Sequence, residues 1–292
     1  MSLLVDLQAA QEWLADSEIE GDESRVVAEE EYWRSATTRL STILAIAHQS
    51  AEFYLKGRIA DVSPFLLLSN SVRDWPKADA SGDTSFSKLR TIDAQDIVRL
   101  HDRCSSSSLS DSFKSQLENL RIRRNSIMHI VDSGVAVKVK ELIRSILAIH
   151  KNLVGGKWLD FRRASLDQSS GSKLYPDEDR WSDGHVVSEF LTLESILSGA
   201  EFEEHFGLPA GRRRYICPQC TWETFSDSGV KVFSAVLEPN SPESKTIWCP
   251  LCDKVQPVYR LSCEDELCRG NVISDDWLKC ATCAGRQVNH PD

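Results

Sequence analysis

The spacing of apolar residues predicts helices for the first half of the chain. Up to about residue 155 they recur at intervals of three and four, with few β-branched alternations, as expected of helices that each bury one face. One helix is expected over residues 3–19. A long second one covers 24–60, with Trp33, Ala36, Leu40, Ile43, Ala47, Ala51 and Tyr54 on its apolar stripe. Ser63-Pro64 reads as the cap and first position of a helix over 65–75. Further helices are expected over 93–104 and, after the serine run 105–108, over 112–131 with Ser110 or Asp111 as cap. A last one over 135–154 carries Val139, Leu142, Ile143, Ile146, Ile149 and Leu153, and Gly155-Gly156 stops it. The pattern describes a helical bundle.

Beyond residue 156 the pattern changes. Residues 157–184 combine a helical piece at 158–166 with a polar Ser-, Gly- and Asp-rich stretch suited to a linker. A connecting helix over 186–206 follows, and then short strand-like runs at 214–216, 230–237 and 245–248 alternate with cysteine pairs. The expected fold is therefore a mainly α N-terminal bundle (1–156), a linker with its connecting helix (157–210) and a small β-rich C-terminal domain (211–292).

Composition adds little to this, but charge and cysteine placement add much. No run reaches the roughly 18 apolar residues of a membrane span, and the first residues lack the basic region and cleavage site of a secretory leader, so a cytoplasmic protein is expected. Nearly the whole formal charge of −10 sits in residues 1–31, where ten acids face one base. Residues 111–163 carry eleven Lys and Arg against five Asp and Glu, a local field that suits a polyanion despite the acidic total.

Of nine cysteines, only Cys104 lies outside the last domain. The others form close pairs: Cys217 and Cys220, Cys249 and Cys252, Cys263 and Cys268, Cys280 and Cys283. A two-residue gap lets both thiolates of one turn reach the same ion, and two such turns complete the tetrahedron that structural zinc prefers. Two zinc ions per chain are expected. Sequential pairing is favoured over an interleaved cross-brace, because each half then closes on local hairpins. The first two pairs resemble the knuckles of a zinc ribbon. With all positions filled by thiolate, no site remains open for a catalytic water. Trp222, Phe225, Trp248 and Trp277 are read as a miniature core of this domain.

The helix over 112–131 holds an unexpected charge. Phe113, Leu117, Leu120, Arg124, Ile127 and Val131 share one stripe, so an arginine stands where a leucine belongs. A buried guanidinium needs a partner, an interface or an anion. Arg121, Asn125 and His129 share an adjacent face at four-residue spacing.

The run from Arg124-Asn125 to His129 resembles the R-x4-6-H signature of HEPN domains, and Glu52 and Lys56 upstream resemble that family's E-x3-K helix. The resemblance covers about residues 24–155. It implies a metal-independent endoribonuclease in which the ribose 2′-OH attacks the adjacent phosphodiester and leaves a 2′,3′-cyclic phosphate. His129 would be the general acid/base, Arg124 would stabilise charge on the phosphoryl oxygens, and Asn125 would orient Arg124 or touch substrate. Arg121 and Arg123 would bind RNA, with Glu52 and Lys56 in support. It also implies a homodimer with a composite site, acting as a toxin or antiviral defence effector, with an antitoxin or trigger protein as a further partner. Val131 stands where nucleotidylated relatives carry tyrosine, which leaves that mode of regulation unsupported. The competing expectation is a non-catalytic adaptor that dimerises through the bundle and binds nucleic acid or protein through the zinc ribbons. The other histidines, His48 among them, are expected to be structural or solvated.

Overall fold

The computed structural model describes residues 22–69, 76–77, 82, 84–85, 88–129, 139–174, 181–223 and 230–288. The helix expected over 3–19, and the part of the 65–75 helix beyond residue 69, fall outside these residues. The described chain divides into two compact units, one ending at Gly155 and the other beginning at Gly156. It is mainly helical, with a small antiparallel sheet near its C-terminal end. Among the described residues no helix is long and apolar enough to cross a membrane.

The first unit is built around α1 (Asp22–Val62), against which α2 (Ala94–Cys104), α3 (Asp111–His129) and α4 (Val139–Ile149) pack. The buried line of α1 runs through Ala36, Leu40, Leu44, Ala47, Ala51, Leu55 and Ile59. It shares four positions with the expected stripe but takes Leu44 and Leu55 in place of Ile43 and Tyr54, and Tyr54 is 40% exposed. Steps of four outrun the 3.6-residue turn, so the buried face winds slowly around the helix as it crosses its three neighbours. Where a helix was expected from Pro64, the described residues hold one 3-10 turn (Pro64–Leu67), and Leu68 then bridges Thr91 in extended conformation.

Local chemistry sets the remaining ends. Ser110 caps α3 by accepting the Phe113 N–H at 3.3 Å. α4 runs into a wider turn (His150–Val154), whose carbonyls at Asn152 and Leu153 accept from Arg58 Nη2 at 3.1 and 2.7 Å. Gly155, at φ 80° and ψ −177°, ends the element in a backbone conformation that glycine adopts readily.

The second unit contains α5 (Trp158–Asp167), α6 (Ser170–Leu174), α7 (Trp181–Ile196) and α8 (Gly199–Phe206) together with the cysteine-rich sheet. The stretch with linker composition is thus helical at 158–167 and 170–174, because Trp158 and Leu159 bury against α7 and α8. The single helix expected over 186–206 is two, since Ser198 accepts the Glu201 N–H and the Glu201 carboxylate returns to Ser198 N–H, a full capping box that starts a new helix. Phe190, Phe202 and Phe206 pack edge-on or tilted at 4.5–5.9 Å between centroids.

Buried Glu189 ties α7 to α5, accepting from Trp158 Nε1 at 2.9 Å and from Arg162 Nε at 3.0 Å. Removing one partner of such a buried pair strands the other charge. Glu189→Ala is expected to lower stability by about 3–5 kcal/mol in denaturant unfolding. Glu189→Gln, which keeps an acceptor for Trp158, should lose less.

Strands β1 (Val236–Leu237), β2 (Thr246–Cys249), β3 (Lys254–Tyr259) and β4 (Ile273–Ser274) form a four-stranded antiparallel sheet in sequence order. The expected runs at 230–237 and 245–248 are present in part as β1 and β2. Tyr215 makes a single bridge to Ala235, and β3 and β4 were not anticipated. Polar residues at 254–257 and the short length of β4 weaken the alternation that marks a strand.

Candidate functional site

Two constellations carry chemistry, one in each unit. In the first unit the buried side of α3 follows Phe113, Leu117 and Leu120, all under 8% exposed, and its next position is Arg124. Arg124 is half-buried and its Nη1 donates to Asn125 Oδ1 at 3.0 Å. Among the described residues no carboxylate pairs with it.

Its neighbours differ. Arg121 donates from Nε and Nη2 to both oxygens of Glu118, at 2.8 and 2.7 Å, and this holds the Glu118 carboxyl below the usual range. Arg123 pairs with Glu141 of α4 at 2.5 Å. Both residues expected to bind substrate are therefore already engaged by acids. Lys56 pairs with Glu52 at 2.7 Å and donates to Thr91 Oγ1 at 3.2 Å, so the E-x3-K pair also fastens α1 to the strand-like segment before α2. The helical backbone of α3 continues to His129, four residues after Asn125, and the position of the His129 side chain lies outside what is described.

His48, which sequence reasoning set aside, belongs to this neighbourhood. It stands one turn before Glu52 on α1, is 9% exposed, and has no hydrogen-bond partner among the described residues. It lines a cavity of about 490 Å³ with Glu52, Asp102, Lys114, Glu118 and Arg121. Burial holds its imidazole below the ordinary 6.5; Arg124 and Arg121 add to that depression, while Glu52 and Glu118 oppose it. Sequence alone carries no signal for this, because the proximity of α1 to α3 is tertiary.

The depressed value has a sign for stability. The native state binds fewer protons than the unfolded chain between the folded value of His48 and 6.5, so its contribution is full above 6.5 and fades as pH falls through the folded value. Thermal midpoints measured from pH 7.5 down to 5 should fall less steeply for His48→Gln than for wild type. Parallel curves would contradict this.

In the second unit the eight cysteines gather in two groups of four, Cys217, Cys220, Cys249 and Cys252, and Cys263, Cys268, Cys280 and Cys283. The grouping is the sequential one. Sulfurs lie 3.7 Å apart for Cys217 and Cys252, 3.8 Å for Cys220 and Cys249, 3.7 Å for Cys263 and Cys283, and 3.9 Å for Cys268 and Cys280. A tetrahedron with metal–sulfur bonds of about 2.3 Å has edges of about 3.8 Å, so both groups fit one ion each.

A second layer of donors supports the sulfurs. Gly270 N–H, Thr282 N–H and Gly285 N–H reach Cys268, Cys280 and Cys283 Sγ at 3.3–3.4 Å. Gln256 reaches Cys217 at 3.7 Å, Gln287 reaches Cys263 at 3.5 Å, and Ser234 lies 3.1 Å from Cys249 Sγ. Such outer partners orient ligands and stabilise thiolate charge. A Cβ at Gly270 would meet Cys280 Sγ at 2.7 Å, so only glycine fits there. The sequence gives no warning of these supporting residues, apart from glycines near cysteine pairs. Arg213 is bonded to Thr282 Oγ1 at 3.3 Å, and Arg214 pairs with Glu194 while lying 5.4 Å over the Phe202 ring.

The chain matches no protein-family model, no curated protein and no solved structure.

Proposed function

We propose that the first unit is a metal-independent endoribonuclease of the HEPN type, working as a homodimer, and that each cysteine group of the second unit holds a structural zinc ion. The observation that carries the enzymatic reading is Arg124. Of three arginines within one turn, Arg121 and Arg123 have carboxylate partners, and half-buried Arg124 has, among the described residues, only the Asn125 side-chain carbonyl. Leaving a half-buried guanidinium without a counter-charge is costly for a purely structural residue, and suits one that receives an anion such as a phosphodiester.

In the reaction the 2′-oxygen attacks phosphorus, the P–O5′ bond breaks, and charge collects on the non-bridging oxygens. The 2′-OH proton passes to a neutral imidazole, and an imidazolium returns a proton to O5′. Two copies of His129 in a two-fold site would fill both roles, and Arg124, steered by Asn125, would donate to the phosphoryl oxygens. Exposed Ile46 and Phe53, seven residues apart on α1 and 56% and 59% exposed, offer an apolar patch for the second protomer. A cellular role as toxin or antiviral effector acting in the cytoplasm, with an antitoxin or trigger protein, rests on the HEPN resemblance.

The test is the chemistry of the ends left on total cellular RNA, cut without added divalent metal. Fragments ending in 2′,3′-cyclic phosphate with 5′-hydroxyl partners are expected. Fragments ending in 3′-hydroxyl would rule the mechanism out.

A further inference from the structure

Trp222 and Trp277 were expected to fill the core of the cysteine domain, and they do not. Among the described residues that core includes Tyr215, Ile216, Val232, Val236, Ile247 and Leu251, all under 5% exposed. Both tryptophans are only half-buried, and their rings lie side by side with centroids 5.5 Å apart at 47°. Lys279 Nζ sits 4.6 Å from the Trp222 centroid and 6.0 Å from that of Trp277.

Each tryptophan lies close in sequence to a cysteine group. Trp222 follows Cys220 of the first cysteine group by two residues, and Trp277 precedes Cys280 of the second by three. An ion in each group would anchor the chain just before Trp222 and just after Trp277. Cations collect around the second group: Lys231 Nζ donates to the Cys283 carbonyl at 3.0 Å, Arg213 donates to Thr282, and Arg286 is the bridge partner of Lys279. Of the neighbouring acids, Asp275 is engaged by the Tyr259 hydroxyl and Asp276 is exposed.

We propose that the face carrying Trp222, Trp277 and Lys279 binds single-stranded nucleic acid, with an unpaired base stacked on the indoles and the flanking phosphate on Lys279. Two adjacent, partly exposed indoles are a stacking platform that accepts any base, and a lysine over them supplies the charge complementary to the backbone. An arriving base replaces the ammonium on the ring, and the ammonium moves to the phosphate. A duplex, whose bases already stack on one another, has no free base face to offer. This inference is independent of the ribonuclease reading of the first unit.

The experiment titrates the full-length, metal-loaded protein with fluorescent oligo(dT), which lacks the 2′-OH and so cannot be cut by the proposed chemistry. Parallel arms use oligo(U), in His129→Ala protein, and a DNA duplex of equal charge. Saturable binding of single strands over duplex is expected, and comparison of oligo(dT) with oligo(U) shows whether DNA or RNA is preferred. Trp222→Ala and Trp277→Ala should each weaken binding about 10-fold or more, and Trp222→Phe should recover part of it. Lys279→Gln should reduce the slope of log affinity against log salt by about one. Metal content of two ions per chain in every variant separates lost binding from lost folding. Absence of single-strand binding, preference for the duplex, or unchanged affinity in folded Trp222→Ala, Trp277→Ala and Lys279→Gln would overturn the proposal.

Discussion

Arg124→Ala is expected to lower RNA cleavage by about 10²–10³-fold while leaving the fold as stable as before, or more so. The first half follows from the general cost of removing one donor aimed at charge that develops in a transition state. The second half follows from the structure. Among the described residues Arg124 gives up only its bond to the Asn125 side chain, and no carboxylate is left unpaired. A residue held for structure would behave in the opposite way. Arg123→Ala, which strands Glu141, should cost stability and affect cleavage less. Arg124→Lys keeps the charge but loses the planar fork, so it should recover only part of the activity. Kinetics and denaturation of the same three variants check both halves.

Stripping the metal from the cysteine groups is expected to unfold the sheet while leaving the α1 bundle helical. Cys249 ends β2 and Cys252 precedes β3, so the first group closes the central hairpin, and Cys280 follows β4 in the second. Without a cation each group leaves four sulfurs crowded together, with pairs 3.7–3.9 Å apart, and burial pushes the Cys283 thiol up to about 12. Structural zinc sites of this kind contribute on the order of 10–16 kcal/mol of apparent binding free energy at pH 7, more than a small sheet can replace. Chelator titration followed by circular dichroism and near-ultraviolet absorbance should show loss of tertiary signal from the second unit only. Cys249→Ser should reproduce this in part, and Gly270→Ala should weaken the second ion by crowding Cys280. Retention of the full tertiary signal after both ions are removed would contradict a structural role.

What the sequence disclosed and what it concealed divide along physical lines. Ligand spacing is local, so three two-residue gaps, the four-residue gap between Cys263 and Cys268 and the doubling of the pairs were enough to foresee two four-cysteine groups, whereas spacing only favoured their sequential pairing over a cross-brace and did not settle it. Helix periodicity is also local, and α2, α3 and α5 lie within two residues of their expected bounds. The capping box at Ser198 and Glu201 was readable but lay hidden within a continuous apolar pattern. Side-chain pairing across elements was not readable. Nothing in the spacing says that Arg123 meets Glu141 or that His48 faces the cavity beside Glu118 and Arg121. The tryptophans misled for a different reason. Large aromatics usually fill small cores, but the ion-centred knuckles and small aliphatics of this domain leave Trp222 and Trp277 at its surface.

The proposed catalytic role of α3 depends on Arg124 and His129 acting together on a phosphodiester. The most direct test follows cleavage of total cellular RNA over time by wild type and His129→Ala, each carrying two metal ions per chain, without added divalent metal. Cleavage by wild type and its loss in a folded His129→Ala protein is the predicted result. Equal cleavage by both proteins, or none by either, would contradict the enzymatic reading.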